Sequence, residues 1–385
     1  MIPYGRQSIT EADIQAVVDV LRSDYLTQGP KVPQFEKSIT EACNVPHAVA
    51  VNSATSGLHI ACLALGAKAG EYVWTTPNSF VASANCALYC GADIDFVDID
   101  AKTFNMCHEH LEEKLIDAKA NGKLPKIVIP VHLTGQPCNM KEIFRLSQEF
   151  GFSIIEDASH CIGGRYKDKP IGACEFSDVT VFSFHPVKII TTAEGGVNTT
   201  RSAELAQKMS LLRSHGITRD ENLMTHDSHG PWYYQQVVLG LNYRMTEMQA
   251  ALGVSQMTRL HDFVSRRHEL AARYNRLLEG LPLDTPYQHP DSYSGYHLYV
   301  IQPHFSKLSK NHRQIFEELR AAGLGVNLHY IPIHTQPYYK GLGFKEGDFP
   351  VSEDYYSRSI SIPLYHAMTD EQQDEVIDIL KRVLI

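Results

Sequence analysis

The chain has 385 residues, of which 43% are hydrophobic and 21% charged, a composition typical of a globular protein large enough for two domains. Its net charge is -9 and it has no dense run of Lys and Arg, which excludes a clustered basic face for nucleic acid. No window approaches the ~18 uncharged apolar residues of a membrane span and no signal peptide is evident, so we expect a cytoplasmic protein without membrane contact.

The first predicted helix begins near Thr10. Thr10 and Asp13, three residues later, resemble a capping box, in which each residue bonds the backbone of the other. The apolar residues that follow recur at helical spacing and predict a stripe that faces the core: Ile14, Val17, Val18 and Leu21.

Between roughly 45 and 200, short apolar runs alternate with helical patterns. The strand candidates are the segments HAVAVNS, EYVWTTP, DIDFVDI, KIVIPVHL, FSIIEDA and TVFSF. The helix candidates are SGLHIACLALGA, SFVASANCALYCGA and NMKEIFRLSQEFG. Continuous apolar strands separated by helices predict an α/β fold with a mostly parallel central sheet covered on both faces. In such sheets, ligands bind at the carboxyl ends of the strands.

The pattern changes in the last third of the chain. From about 246 the sequence predicts one or two long helices, and beyond about 290 it predicts a smaller α+β unit. The last helix of this unit starts near Thr369 and Gln372, and its apolar positions are Val376, Leu380 and Val383. We therefore expect a large α/β domain over residues 1–250 and a small C-terminal α+β domain over residues 251–385, entered through a long helical connector.

The eight cysteines and nineteen histidines do not form a recognisable metal motif. No C-x-x-C occurs, and a chain of this length does not depend on disulfides, so we expect reduced and mostly buried cysteines. The CHEH segment at 107–110 lacks the H-E-x-x-H spacing that places two imidazoles on one helical face. We expect it to open a helix, and we assign no metal.

Two segments carry polar groups where strands end. The segment SIIEDASH places Glu156 and Asp157 after an apolar strand, where a carboxylate could either serve a ligand or cap the following helix. The segment SATSGL at 53–58 opens a helix with small, hydroxyl-bearing residues. Such residues suit a phosphate at the helix N-terminus, and an ordinary N-cap explains them equally well. Neither a Walker loop nor a dinucleotide fingerprint is present.

Lys188 lies in the segment TVFSFHPVKIITTAEGGVNTT at 180–200. Its uncharged neighbours predict an amine whose pKa is lowered by desolvation. Pyridoxal phosphate requires a lysine for a Schiff base, an acid beside its pyridine nitrogen and donors for its phosphate, so Lys188, Asp157 and the 53–58 segment together predict this cofactor. We expect Gly195 and Gly196 to let the backbone turn tightly into the next strand.

Four segments, EDASHCIGG, FSFHPVKIITTAEGG, LRSHGI and LNYRMTEMQAALG, resemble the signature segments of the DegT/DnrJ/EryC1 family of sugar aminotransferases. The resemblance runs over essentially the whole chain. It implies a fold-type I pyridoxal-phosphate enzyme that acts on nucleotide-linked keto-sugars, with pyridoxamine phosphate present between the two half-reactions. Related dehydratases carry His at the lysine position, so Lys188 favours amino transfer.

The resemblance also implies roles for individual residues. Lys188 matches the catalytic lysine that binds the cofactor, and Asp157 matches the catalytic acid paired with the pyridine nitrogen. His160 occupies the place of the residue that contacts the ring hydroxyl, and Phe80 that of a side chain packed on the ring. The other implied positions are phosphate ligands and substrate-binding residues: Thr55, Ser56, Ser183, Asn242 of the partner subunit, His185 and His329.

His160 stands where many family members have Gln. A His at this position resembles the branch that makes pseudaminic acid precursors, whose members have Pro at the position of Ile189. The resemblance implies transfer of an amino group from L-glutamate, released as 2-oxoglutarate, to C4 of a UDP-linked 4-keto-6-deoxy-N-acetylhexosamine. The product is a UDP-4-amino-4,6-dideoxy sugar, and the enzyme is expected to be a homodimer with shared active sites. Two alternatives stay open: the same chemistry on a dTDP-keto-hexose or a UDP-4-keto-pentose, and a cofactor-binding regulatory protein without activity.

Overall fold

The structure is a computed structural model that describes residues 1–384. Its α-helices, numbered in chain order, are α1 (Glu11–Leu21), α2 (Lys31–Cys43), α3 (Ala54–Ala64), α4 (Ala82–Tyr89), α5 (His108–Asn121), α6 (Met140–Phe150), α7 (Ala203–Leu212), α8 (Glu247–Met257), α9 (Leu260–Leu277), α10 (His312–Ala321), α11 (Pro337–Lys340), α12 (Pro350–Arg358) and α13 (Asp370–Leu384). Its strands are β1 (Ile2–Pro3), β2 (His47–Val51), β3 (Tyr72–Thr75), β4 (Asp93–Phe96), β5 (Pro125–Ile129), β6 (Ser153–Asp157), β7 (Arg165–Tyr166), β8 (Lys169–Pro170), β9 (Val179–Ser183), β10 (Gly196–Thr200), β11 (Ile217–Thr218), β12 (Gln235–Gln236), β13 (Leu283–Asp284), β14 (Ser292–Tyr293), β15 (Tyr299–Pro303), β16 (Leu324–Gly325) and β17 (Ile360–Ile362).

A seven-stranded sheet in the order β2-β10-β9-β6-β5-β3-β4 organises residues 47–200. β10 is antiparallel to both of its neighbours, and the other strand pairs of this sheet are parallel. The predicted α/β fold with a mostly parallel central sheet is therefore confirmed. The carboxyl ends of β6 and β9 lie side by side, because Asp157 is paired with Val181.

Helices cover both faces of this sheet. Val128 and Ile154 belong to a hydrophobic cluster that includes side chains of α2, α5 and α6. Their strand neighbours Ile129 and Ile155 belong to a second cluster, which includes side chains of α3, α4 and α7. Because successive residues of a strand point to opposite faces, both faces of the sheet are buried and only its ends can receive a ligand.

The predicted apolar stripe of α1 is wrong, although the capping interaction at its start is present. The Thr10 backbone N–H donates to the Asp13 carboxylate at 2.8 Å. Ile14 and Leu21 are 47% and 57% exposed, whereas Asp13 is buried. The physical reason is that α1 packs against α8 through a polar contact, in which Ser255 Oγ donates to Asp13 at 2.6 Å. Helical periodicity alone does not show which face of a helix meets its neighbour.

The C-terminal part of the chain has its own hydrophobic cluster. The antiparallel strands β13, β15 and β17 pack with α9, α10 and α13, and α13 buries Val376, Leu380 and Val383 as predicted. The predicted helical connector consists of two helices, α8 and α9. The domain boundary at residue 250 stays a prediction. It falls within α8, which packs against α1 and α2.

The structure tests the predictions for the cysteines and for the CHEH segment. All eight cysteines are free thiols, seven of them buried and Cys90 partly exposed, which agrees with reduced and mostly buried cysteines. The CHEH segment opens α5 as predicted, because this helix begins at His108. None of the helices within residues 1–384 is both long enough and apolar enough to cross a membrane.

Candidate active site

A cavity of about 640 Å³ opens at the carboxyl ends of β6 and β9. One side is formed by the central sheet and the start of α3, and the other by the segment 327–330, with Tyr4 and His297. The cavity is lined by eight of the residues predicted for the site: Thr55, Phe80, Asp157, His160, Ser183, His185, Lys188 and His329. The structure therefore brings most of the predicted site together, from segments widely separated in the sequence.

Lys188 lies in the loop between β9 and β10. The loop is fixed by its own backbone, since Phe184 N–H donates to Gly195 O and Thr192 N–H donates to Phe184 O, both at 3.0 Å. Burial lowers the pKa of Lys188 from 10.5 to about 8, although the nearby Asp157 carboxylate acts in the opposite direction. This agrees with the expectation from the uncharged neighbours of Lys188. The amine therefore exchanges protons near neutral pH, which an exposed lysine does not.

Asp157 ends β6 and is held by hydroxyl groups. Ser83 Oγ, from α4, donates to one carboxylate oxygen at 2.6 Å. The other oxygen accepts hydrogen bonds from the backbone N–H and the hydroxyl of Ser159, at 3.1 and 2.6 Å. No helix begins directly after β6, so the alternative of a helix-capping carboxylate does not apply here. The carboxylate is fixed in orientation and faces the cavity.

Glu156 points to the opposite face of the strand and does not line the cavity. It is buried, and it is bonded to His132 Nε2 at 2.7 Å and to the hydroxyls of Ser177 and Thr180. Burial alone would raise the pKa of Glu156, but the hydrogen bonds from these three partners hold it below its usual value. Glu156 is therefore a structural carboxylate beneath the site.

The SATSGL segment at the start of α3 provides both an ordinary N-cap and free amides that suit a phosphate, the two alternatives left open by the sequence. Ser53 is an ordinary N-cap, because its hydroxyl accepts from Ser56 N–H at 3.1 Å. The amides of Ala54 and Thr55, in the first turn, have no partner within the helix, and both residues line the cavity. The Ser56 hydroxyl donates to Asn52 at 2.6 Å, and Ser56 does not line the cavity. Thr55 is thus better placed than Ser56 for a phosphate.

Gly195 and Gly196 serve close packing, and the bend before β10 lies at residues 193–194, where Ala193 has the positive φ. Neither glycine has a positive φ. A Cβ on Gly196 would lie 2.6 Å from Ala54 N, and one on Gly195 would lie 2.2 Å from Thr192 Oγ1. Gly196 therefore allows β10 to approach the first amides of α3.

His160 and His329 are buried imidazoles that are held by hydrogen bonds. Thr134 N–H donates to His160 Nδ1 at 3.2 Å, and His160 Nε2 lies 3.1 Å from Tyr330 Oη. His329 Nδ1 lies 2.8 Å from Ser361 Oγ. Burial lowers the pKa of His329 to about 3 and that of His160 well below its usual value, so both rings are neutral.

Two exposed predicted residues line the cavity, and a third exposed residue, like the buried Ser56, lies outside it. Phe80 is 58% exposed and His185 is also exposed, and both line the cavity. Asn242 is exposed and does not line it. This placement is what a residue donated to a partner subunit requires, and that role of Asn242 stays a prediction.

Sequence reasoning missed several residues that shape the site. Ser83 orients Asp157, and no sequence signal marks it, because its role depends on how α4 packs against β6. Tyr4 and His297 reach the cavity from the chain terminus and from the C-terminal part. Tyr330 directly follows the predicted His329 in the segment LHYIP, and this aromatic pair is the signal that could have identified it.

Comparisons with known proteins agree with this geometry. The model of the DegT/DnrJ/EryC1/StrS aminotransferase family matches residues 7–381. A similar sequence is the spore coat polysaccharide biosynthesis protein SpsC of Bacillus subtilis (strain 168), which is 38% identical over 386 residues that cover 100% of this chain and 97% of that protein.

A second relative and a solved structure are also similar to this chain. The UDP-4-amino-4,6-dideoxy-N-acetyl-beta-L-altrosamine transaminase of Campylobacter jejuni subsp. jejuni serotype O:23/36 (strain 81-176) is 36% identical over 385 residues, which cover 100% of this chain and 98% of that protein. The structure of Helicobacter pylori PseC, an aminotransferase involved in the biosynthesis of pseudoaminic acid, matches with a TM-score of 0.91 at 30% identity. The match covers 100% of this chain and 99% of that one.

Proposed function

Because the chain belongs to the DegT/DnrJ/EryC1/StrS aminotransferase family, we propose that it transfers an amino group from L-glutamate to C4 of a UDP-linked 4-keto-6-deoxy-N-acetylhexosamine. The product is a UDP-4-amino-4,6-dideoxy sugar for glycans of the pseudaminic acid type. The family consists of pyridoxal-phosphate-dependent sugar aminotransferases. The choice of sugar is supported by the names of the Campylobacter jejuni relative and of the Helicobacter pylori structure.

The observation that carries this proposal is the Lys188 amine. Its pKa of about 8 places it among groups that accept and return protons near neutral pH. It lies with Asp157 on the sheet side of a cavity large enough for a cofactor and a substrate. A regulatory protein that bound the cofactor would also use this lysine for attachment, so turnover with L-glutamate is what separates the two alternatives.

The residues around the cavity fit pyridoxal phosphate. The unpaired amides of Ala54 and Thr55 at the start of α3 suit a phosphate, and Gly196, which lacks a Cβ, allows β10 to pack closely beside them. Ser183 is paired with Gly196 in the sheet and therefore adds a hydroxyl beside the start of α3. Asp157, fixed by Ser83 and Ser159, would pair with the pyridine nitrogen.

Bound there, pyridoxal phosphate would supply an electron sink for the carbanion that forms when a proton leaves the amino-bearing carbon. Lys188 would hold the cofactor in the resting enzyme, then take the proton from the donor carbon and return it. Asp157 would keep the ring nitrogen protonated. Thr55 and Ser183 would anchor the phosphate while the covalent link to Lys188 is open. The neutral rings of His160 and His329 would line the cavity without adding charge.

We further propose a homodimer in which Asn242 of the partner subunit completes the phosphate site. Asn242 is exposed, and Asn52 N–H donates to Tyr243 O at 2.9 Å, which places this segment beside the end of β2. Large exposed apolar residues precede Asn242 in the sequence and also precede α2, and exposed apolar surface of this kind commonly marks interfaces. They include Tyr25, Leu26, Trp232 and Leu239.

A second acceptor, another nucleotide keto-sugar, is supported by one comparison. SpsC is 38% identical to this chain, slightly more than the 36% of the Campylobacter jejuni transaminase, and its name specifies a spore coat polysaccharide. The alternative acceptors are a dTDP-keto-hexose, which differs in its base, and a UDP-4-keto-pentose, which differs in its sugar. Lys188 and Asp157 are assigned to the cofactor and do not discriminate between these acceptors.

A competition assay tests the proposal. The purified protein, supplied with pyridoxal phosphate and L-glutamate, receives equimolar UDP-4-keto-6-deoxy-N-acetylhexosamine and a dTDP-4-keto-hexose, and both products are quantified by mass spectrometry. We expect the UDP-4-amino sugar to predominate by at least about tenfold, a difference of ~1.4 kcal/mol in transition-state binding. If the dTDP product predominates, the proposed UDP-linked acceptor is wrong and a dTDP-keto-hexose takes its place. If no amino sugar forms, the proposed aminotransferase activity is refuted.

A further inference from the structure

Tyr330 lines the cavity between two other aromatic rings. Its ring centroid lies 6.1 Å from that of Phe80 and 6.0 Å from that of His160, with the His160 and Tyr330 planes only 23° apart. Tyr330 belongs to the wall of the cavity that faces Asp157 and Lys188. Its hydroxyl is therefore next to the space that the cofactor and the substrate would fill, and any role of this hydroxyl toward them rests on the proposed function.

The hydrogen bonds of His160 determine where its proton lies. Thr134 N–H donates to His160 Nδ1 at 3.2 Å. A backbone N–H is always a donor, so Nδ1 is the unprotonated nitrogen of the ring. Burial lowers the pKa of His160 well below its usual value, and the charge of Lys188 acts in the same direction. The ring is therefore neutral, and its single proton is on Nε2.

The proton on His160 Nε2 determines that the Tyr330 hydroxyl oxygen acts as a hydrogen-bond acceptor toward His160. His160 Nε2 lies 3.1 Å from Tyr330 Oη, so His160 donates and the tyrosine oxygen accepts. Within residues 1–384 the hydroxyl of Tyr330 has no other hydrogen-bond partner, so its own proton has no acceptor in the protein. Burial raises the pKa of Tyr330 above its usual range, and Asp157 adds to this effect. The hydroxyl therefore stays protonated and can donate only into the cavity.

We propose that His160 fixes Tyr330 as a hydroxyl donor for an oxygen atom of the ligand bound over Lys188 and Asp157, either the ring oxygen of the cofactor or an oxygen of the keto-sugar. The family resemblance implies that His160 itself contacts the ring hydroxyl. In this structure both nitrogens of His160 already have hydrogen-bond partners, Thr134 N–H and Tyr330 Oη. The hydroxyl of Tyr330 is therefore the group that can donate to the ligand. A ligand that offers no oxygen there leaves a buried donor unpaired and is disfavoured.

The first test uses the protein without cofactor, so that it is independent of the proposed function. Nitrogen-15 NMR of histidine-labelled protein, with His160→Gln to assign the signals, reports which ring nitrogen of His160 carries the proton. We expect protonation at Nε2 and a shift of that signal in Tyr330→Phe. A proton on Nδ1, or a charged ring at neutral pH, would overturn the proposal even if the enzyme is an aminotransferase.

The second test identifies the oxygen. Tyr330→Phe is compared with Tyr274→Phe, a matched control that also loses one buried tyrosine hydroxyl, here bonded to Pro363 O at 2.8 Å. If the acceptor is the cofactor, Tyr330→Phe alone shifts the visible absorbance maximum and weakens cofactor binding about tenfold before any sugar is added. If it is the sugar, these readouts stay unchanged and KM for the keto-sugar rises by a similar factor. Equal behaviour of the two variants in all three readouts would overturn the proposal.

The third test measures the coupling between the two residues. His160→Gln keeps an acceptor for Thr134 N–H and a donor for Tyr330, so it should retain most of the wild-type behaviour. His160→Leu keeps neither, so adding Tyr330→Phe to it should have little further effect. The proposal fails if Tyr330→Phe has its full effect in the His160→Leu background, or if His160→Gln behaves like Tyr330→Phe.

Discussion

The two sides of the cavity are built and charged differently. The sheet wall (Ser53–Thr55, Asp157, Ser183 and Lys188) consists of strand ends and the loops directly after them, and it carries the groups that exchange protons or pair with charge. The C-terminal wall (His297 and residues 327–330) presents rings that burial keeps neutral, as the lowered pKa values of His297 and His329 show. Chemistry is therefore concentrated on the sheet wall, and the C-terminal wall contributes shape and hydrogen bonds. If this division holds, substitutions on the sheet wall should lower kcat and those on the C-terminal wall should raise KM.

The largest effect is expected for Lys188→Arg. The guanidinium stays charged at all accessible pH values and cannot remove and return the proton, so kcat should fall by roughly 10³-fold or more. The variant should also lack the visible absorbance of the cofactor-bound wild type. Lys126→Arg, at an exposed position of β5, serves as the control and should keep normal turnover. Normal turnover by Lys188→Arg would contradict the claim that the sheet wall carries the proton transfer.

Asp157→Asn is expected to be next in size. The amide preserves the shape of the side chain and can still bond Ser83, but it cannot pair with a protonated ring nitrogen, so kcat should fall about 10²-fold while the cofactor stays bound. Steady-state kinetics and cofactor content measure the two quantities separately. Asp291→Asn, which breaks only the surface ion pair with Lys167, is the control. Unchanged kcat in Asp157→Asn would show that the sheet wall does not act through this carboxylate.

Gly196→Ala tests the phosphate end of the sheet wall. The added Cβ would lie 2.6 Å from Ala54 N, so β10 or the start of α3 has to shift. We expect a loss of ~1–3 kcal/mol in stability and about tenfold weaker cofactor binding. Gly5→Ala, whose Cβ would make an ordinary contact at 3.8 Å, is the control for both thermal denaturation and cofactor titration. Equal melting temperatures and cofactor affinities for the two variants would contradict the close-approach argument.

His329→Gln probes the C-terminal wall. Gln is neutral, as His329 is, and it can still bond Ser361, so the variant should fold. We expect KM for the keto-sugar to rise several-fold to about tenfold, with kcat nearly unchanged, because one hydrogen-bonding ring is lost and no charge changes. A fall in kcat at unchanged KM would place chemistry on this wall as well.

The smallest effect concerns the stability of the cofactor-free protein. The pKa of Lys188 is about 8 in the folded protein, whereas an unfolded chain has the ordinary lysine pKa of 10.5. Between these two pH values the unfolded chain therefore binds more protons than the folded protein. The free energy of unfolding of the wild type should therefore rise with pH over this window relative to Lys188→Met. Urea denaturation at pH 7.5, 9 and 10.5 would show the divergence, on the order of 1–3 kcal/mol. Parallel pH profiles would mean that the amine is not desolvated.

The same two walls show how far the sequence could predict the site. The strands that build the sheet wall were predictable, because continuous apolar runs separated by helical patterns have few other solutions. Lys188 and Asp157 were predictable because a lysine and a strand-end acid are two of the groups that pyridoxal phosphate requires. In contrast, Tyr330 and His297 enter the cavity through contacts between segments far apart in the chain, and no local pattern specifies those contacts.

Two further residues show why the remaining details depend on packing. The role of Ser83 follows from the position of α4 against β6, which sets the 2.6 Å hydrogen bond to Asp157. Ile14 is exposed because the face of α1 that meets α8 carries the buried Asp13, which accepts a hydrogen bond from Ser255, and is not the face that apolar spacing predicts. Both outcomes depend on tertiary contacts between polar groups, which sequence periodicity does not report.

The most direct measurement is the first half-reaction with L-glutamate alone. Protein reconstituted with pyridoxal phosphate is mixed with L-glutamate in a stopped-flow spectrometer, and 2-oxoglutarate is quantified in the quenched mixture. We predict loss of the visible absorbance together with release of one 2-oxoglutarate per site in the wild type, and neither change in Lys188→Arg. Absence of 2-oxoglutarate from the wild type, or its release at the same rate by Lys188→Arg, would contradict the assignment of amino transfer to the sheet wall.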